Sequence, residues 1–181
     1  MLKAKELNLD LEKESPETRK ILSEIQRLEH EGYQFEAAEA SFELLVQRLL
    51  GKAKKFFEVQ KVSVRAENIG DTSPTSTAEV KVAAKGKEYF KVSEGDGPVN
   101  ALDSALRAAL RDSYPVIDQI HLTDYKVRVV NSEAGTAAKV RVFIEFQDKN
   151  NTWTTVGVNE NIIEASWQAL VEAVEYKLLK G

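Results

Sequence analysis

The apolar residues of this chain recur first at helical spacing and then, beyond about residue 52, at every second position. Ser15-Pro16-Glu17 opens a helix, with Ser15 as cap and Pro16 in the first turn, and Ile21, Leu22, Ile25 and Leu28 form its apolar stripe up to Gly32. Phe35, Ala38, Phe42, Leu45 and Leu49 then alternate at three and four, the seam of a second helix that stops at Gly51. So short a turn predicts antiparallel packing. Phe35, Phe42, Leu44, Leu45 and Leu50 spread beyond one seam, so the pair needs a further partner surface. Two are open: the sheet domain that follows, or a domain elsewhere in a longer chain.

Past Lys52 three runs alternate: Val62, Val64 and Ala66; Ala78, Val80, Val82 and Ala84; and, after Lys85-Gly86-Lys87, Phe90 and Val92 on one face against Tyr89, Lys91 and Ser93 on the other. Phe57 and Val59 lie one residue out of phase, which predicts a bulge. Asp71-Thr72-Ser73-Pro74 is read as a loop. The third run ends in Gly95-Asp96-Gly97-Pro98, and Val99, Leu102, Leu106, Ala109 and Leu110 return to helical spacing. Pro98 suits the first helical position, with Asp96 or Gly97 as cap. A helix begun this way presents free backbone N–H groups, which suit a carboxylate or phosphate.

The plan then repeats. Tyr125, Val127 and Val129 alternate, followed by Val140, Val142, Ile144 and Phe146, a hairpin at Asp148-Lys149-Asn150-Asn151, and a run with Trp153, Thr155 and Gly157 on one face and Thr154, Val156 and Val158 on the other. Asn161 caps a last helix through Ile162, Ile163, Ser166, Trp167, Leu170 and Val174. Ala105-Leu106 answers Ala169-Leu170, Lys61-Val62-Ser63-Val64 answers Lys126-Val127-Arg128-Val129, and the run from Ala78 to Val82 answers that from Ala138 to Val142. Matches in one order predict an internal duplication. The expected fold is α+β: a helical connector over residues 1–52, then residues 53–181 as two βββα units, about 56–118 and 119–181. One three-stranded sheet under one helix is a marginal core, so the halves should associate and the chain should dimerise.

Composition narrows the chemistry. At 181 residues, 43% hydrophobic and 30% charged, the chain can bury a good core. Its net charge of −4, with Lys and Arg scattered, gives no nucleic-acid or anionic-membrane surface. Cysteine is absent, which rules out disulfides, thiolate metal sites and cysteine nucleophiles. No signal-like or membrane-spanning run occurs, so a cytoplasmic location is expected. His30 and His121 lack ligands at helical spacing, and Asp10, Glu12 and Glu14 form a solvated charged run. Ser41, Ser104 and Ser166 lack a nucleophile elbow, and Glu94 with Asp96 lacks a partner base. No catalytic constellation is present.

The segments GDGPVNALDSALRAAL, YKVRVVNSEAGTAAKVRV and VGVNENIIEASWQALVEAVEYKLL resemble the C-terminal regulatory domain of the 2-isopropylmalate synthase and citramalate synthase family, from roughly Phe56 to the end. HEGYQFEAAEASFELLVQRLL, from His30 to Leu50, resembles the helical connector of the citramalate-type branch. The resemblance implies a parent that condenses acetyl-CoA with a 2-keto acid, pyruvate in the citramalate branch, on a metal-dependent barrel. That barrel, with its divalent metal and acetyl-CoA, is not in this sequence, so the chain should be inactive alone. It further implies a homodimer that binds isoleucine or leucine between units at the dimer interface and inhibits the distant active site. Carried over by position, the effector residues would be Tyr89, Asp96, Gly97, Leu110, Tyr114, Ile117, Val127 and Thr152 or Thr154. The connector favours isoleucine. The alternatives are a leucine-binding domain of a 2-isopropylmalate synthase and a structural dimerisation module with no effector.

Overall fold

A computed structural model describes residues 15–68 and 73–181. The acidic run at Asp10, Glu12 and Glu14, and Asp71 and Thr72 of the expected loop, lie outside the described residues. Helix α1 spans Pro16–His30, and the Ser15 hydroxyl accepts the Thr18 N–H at 3.1 Å. Gly32, at φ +113°, turns the chain where a Cβ would come within 2.9 Å of Val130. Leu22 departs from the expected stripe. It is 42% exposed, while Ile21 is buried.

The second helix also starts later than its seam implies. Phe35–Ala37 form one 3-10 turn, Ala38 leaves helical geometry, and helix α2 runs Glu39–Leu49. A 3-10 turn stacks residues three apart, so the spacing of Phe35 and Ala38 fits it as well as an α-helix. The Phe35 ring stacks on Tyr33 and meets Phe42 edge-on.

Strands β1 (Phe57–Glu67), β2 (Thr75–Ala84) and β3 (Lys87–Gly95) form one antiparallel sheet in that order, followed by α3 (Pro98–Leu110). Strands β4 (His121–Val129), β5 (Val140–Gln147) and β6 (Thr152–Asn159) form the second, followed by α4 (Ile162–Lys180). Two βββα units are thus present. The expected bulge in β1 falls between Val59 and Lys61, and β4 repeats it between Leu122 and Asp124. Asn161 caps α4 by accepting the Ile163 N–H at 2.9 Å.

The register corrects the residue-level match of the halves. Ser76 faces Gly95 three residues before α3, and Val140 faces Asn159 three residues before α4. Ala78 therefore corresponds to Val142 rather than Ala138, and Val62, opposite Val80, corresponds to Tyr125 rather than Val127. Alternating strands resemble themselves after any even shift, so short matches slip. The longer-period helix match, Ala105-Leu106 on Ala169-Leu170, holds.

The units share one core. Leu102, Leu106, Val80 and Val82 lie in a single buried cluster with Ile144, Phe146, Leu170 and Val174. Arg107 of α3 donates to the Ile117 and Ile120 carbonyls and stands 5.2 Å from the Phe146 ring centre, tying unit one to β5. The α1 and α2 pair docks on the far face of the second sheet: Ile21, Phe35, Phe42 and Val46 cluster with Val156 and Val158. Of the two partner surfaces open from sequence, the structure uses the sheet.

Candidate functional site

The residues selected for an effector fall into separate places in one chain. At the C-terminal end of α3 the Tyr89 hydroxyl accepts from Ser113 at 3.0 Å, and Tyr114 donates to the Phe56 carbonyl at 2.6 Å. Lys85 donates to the Ser113 carbonyl and its ammonium lies 4.5 Å from the centre of the Tyr114 ring. Burial raises the Tyr114 phenol above its ordinary pKa. Leu110 and Ile117, both fully buried, belong to the core cluster against which Tyr89 and Tyr114 pack. The apolar run after the helix, from Tyr114 to Ile117, is explained by a 3-10 turn at Pro115–Gln119 that seats Ile117 in the core.

Asp96 and Gly97 lie at the other end of the unit. Gly97 is the cap residue of α3, in extended geometry, and Asp96 is exposed. No side chain caps this helix start, so its first N–H groups have no side-chain acceptor at the cap. Six residues of extended strand lie between Tyr89 and Asp96, seven steps of about 3.3 Å or about 23 Å in all, far longer than one amino acid. Val127 is half-buried on the helix side of β4. Thr152 is exposed, and Thr154 lies on the opposite face of that sheet, its N–H donating to Glu39 at 2.9 Å. One chain brings Tyr89, Leu110, Tyr114 and Ile117 toward one end and leaves the others apart.

Sequence reading did not find a polar seam that joins the connector to the second unit. Three outward-pointing amides of edge strand β6 are taken up by side chains: Thr154 by Glu39, Val156 by the Ser41 hydroxyl at 2.9 Å, and Val158 by Gln168 at 3.2 Å. Ser41 in turn donates to Glu172 of α4, and Arg48 bridges Glu172 and Glu175 at 2.6 and 2.7 Å. Burial pushes the Glu172 carboxyl up, against the opposing pull of Arg48. The only sequence signal was the placement of Glu39, Ser41 and Arg48 among apolar α2 positions. Beside this seam a groove of about 200 Å³, lined by Leu44, Arg48, Phe56 and Leu179, holds none of the expected effector residues.

At the second hairpin Asp148 accepts from Lys177 and from the Asn150 and Asn151 amides, all at 2.8 Å. Lys177, and then the amides, hold its carboxyl down at about 2. Among the described residues no group of three or more His, Cys, Asp or Glu could hold a metal ion. No described helix is long and apolar enough to cross a membrane.

A model of the LeuA allosteric (dimerisation) domain matches residues 36–178. An (R)-citramalate synthase of Aquifex aeolicus is 49% identical over 98% of this chain and 34% of its own length. One of Geobacter sulfurreducens is 50% identical over 100% and 34%. A probable 2-isopropylmalate synthase of Methanosarcina mazei is more distant, 30% identical over 85% of this chain and 28% of its own. The chain thus spans about a third of the length of these curated relatives.

Proposed function

Because the chain belongs to the family of the LeuA allosteric (dimerisation) domain and is about half identical to (R)-citramalate synthases over nearly its whole length, we propose that it is the feedback-regulatory part of a citramalate synthase. In this reading it forms a homodimer and binds a branched-chain amino acid, isoleucine in preference to leucine. Binding alters a metal-dependent barrel elsewhere in the longer cytoplasmic protein, where acetyl-CoA and pyruvate condense.

One geometric observation carries the placement of the effector. The aromatic end of unit one, at Tyr89 and Tyr114, and the open helix start at Gly97 lie too far apart for one ligand to touch both within a chain. Two antiparallel chains, with one end of each set against the other end of its partner, would supply both ends. Micromolar affinity requires about 8 kcal/mol. A carboxylate at a helix start contributes at most about 2 kcal/mol and a buried butyl side chain about 1.5–3 kcal/mol. The ammonium must therefore be held too, by Asp96 or by carbonyl groups, in a site closed to water.

Isothermal titration of the purified chain with L-isoleucine and L-leucine, with its mass in solution, tests this. Saturable binding to a dimer, tighter for isoleucine, is the expected result. Tighter leucine binding would favour the 2-isopropylmalate synthase reading that the Methanosarcina relative represents. A dimer that binds neither would leave a structural dimerisation module.

A further inference from the structure

The two sheets present four edge strands, and three are protected. Strands β1 and β4 each carry a bulge and exposed charge, Lys61 and Arg65 on one, Lys126 and Arg128 on the other. The outward amides of β6 are occupied by Glu39, Ser41 and Gln168, and its apolar face is covered, with Val156 and Val158 only 1% and 8% exposed.

Strand β3 corresponds to β6 and shares exposed charge with β1 and β4, at Lys87, Glu88 and Glu94, but it has no bulge and no side-chain acceptor on its outward amides. Its pairing with β2 is unbroken from Lys87 to Gly95. The turn before it holds Lys85 at φ 48° and Gly86 at φ 75°, the two-residue hairpin geometry in which the flanking Ala84 and Lys87 form a hydrogen-bonded pair. Counting from there, the N–H and C=O groups of Glu88, Phe90, Val92 and Glu94 point away from β2. Among the described residues no side chain accepts a hydrogen bond from the Phe90, Val92 or Glu94 N–H. Phe90 and Val92 are also 51% and 55% exposed, on the face equivalent to the one that the connector covers in unit two.

We propose that a second copy of this chain covers β3, the two β3 strands pairing antiparallel about a two-fold axis into one six-stranded sheet. A row of outward amides and carbonyls is matched by another extended strand, and a two-fold makes the same patch complementary to itself. Charge and overlap together select the register: centred on Ser93 the pair opposes no like charges but matches only Lys91 to Gly95 within the strands, whereas centred on Phe90 it matches Lys87 to Ser93. Centred on Lys91, the pair would set Lys91 against itself and Glu88 against Glu94; centred on Val92, it would set Glu88 against Asp96. Centred on Phe90, it sets Glu88 against Val92 and Lys91 against Tyr89, with no like charges opposed. The proposal rests on the homodimer of the preceding reading but not on its effector.

Two variants test it. Val92→Pro removes only an outward N–H, so the β2 ladder stays intact and the variant is expected to fold, by circular dichroism, yet run as a monomer in analytical ultracentrifugation. Phe90→Cys tests the register without relying on that variant. The chain has no cysteine of its own, and a hydrogen-bonded antiparallel pair sets Cα atoms about 5.5 Å apart, within disulfide reach. Mild oxidation should link most Phe90→Cys chains as dimers and leave Val129→Cys, an exposed control on β4, unlinked. A wild-type monomer would overturn both this surface and the homodimer. A dimer that survives Val92→Pro, or a Phe90→Cys dimer that does not cross-link, would overturn the surface alone.

Discussion

Gly157 shows how one residue fixes a helix on a sheet. A Cβ there would lie 1.9 Å from the Ala165 carbonyl oxygen, which is backbone and cannot swing aside. Gly157→Ala must push α4 off β6, and overpacking of this kind costs about 1–3 kcal/mol or more; urea unfolding should show a lower midpoint. Asp148 makes a different point. Its folded pKa of about 2 lies below the unfolded value, so its pairing stabilises the fold at neutral pH. That contribution is lost as pH falls from about 4 toward 2. Asp148→Asn should flatten this acid limb of the stability profile while lowering stability at pH 7, because Lys177 is left buried without its partner.

At the scale of elements, Ser41 joins three of them at once. Its hydroxyl accepts from Val156 of β6 and donates to Glu172 of α4 while its backbone belongs to α2. Ser41→Ala should cost about 1–3 kcal/mol, the penalty for buried groups left unpaired, with hydrogen exchange at the Val156 amide rising more than at the Val142 amide. How much of this was legible follows from what periodicity encodes. Caps at Ser15 and Asn161, the β1 bulge and the faces of β3 and β6 are local patterns, and all could be read. The capping of β6 by Glu39 and Ser41 joins residues more than a hundred positions apart and carries no local period. The same holds for the effector set: family resemblance selects Tyr89 and Asp96 together, but only the length of β3 shows that one chain holds them apart.

At the scale of the molecule, Arg107 joins the two units. Its side chain supplies hydrogen bonds to two carbonyls and pairs with Asp103 Oδ2 at 2.8 Å, while the buried Asp103 Oδ1 has no hydrogen-bond partner among the described residues. Arg107→Ala should therefore destabilise both halves together, by about 2 kcal/mol, in a single cooperative unfolding transition rather than two.

The connector occupies the outer face of one unit and leaves the other bare, and this asymmetry sets the valence of the molecule. With β3 and β6 both open, a chain would have two sticky ends and could grow without limit, as head-to-tail contacts do when their rotation fails to close. With β6 sealed, the valence on the assembly proposed above is one, and growth stops at a pair. Cutting Glu39 and Ser41 back to alanine should then cost more than stability: it should turn a closed pair into a polymer, seen as a concentration-dependent rise in light scattering that Val92→Pro suppresses.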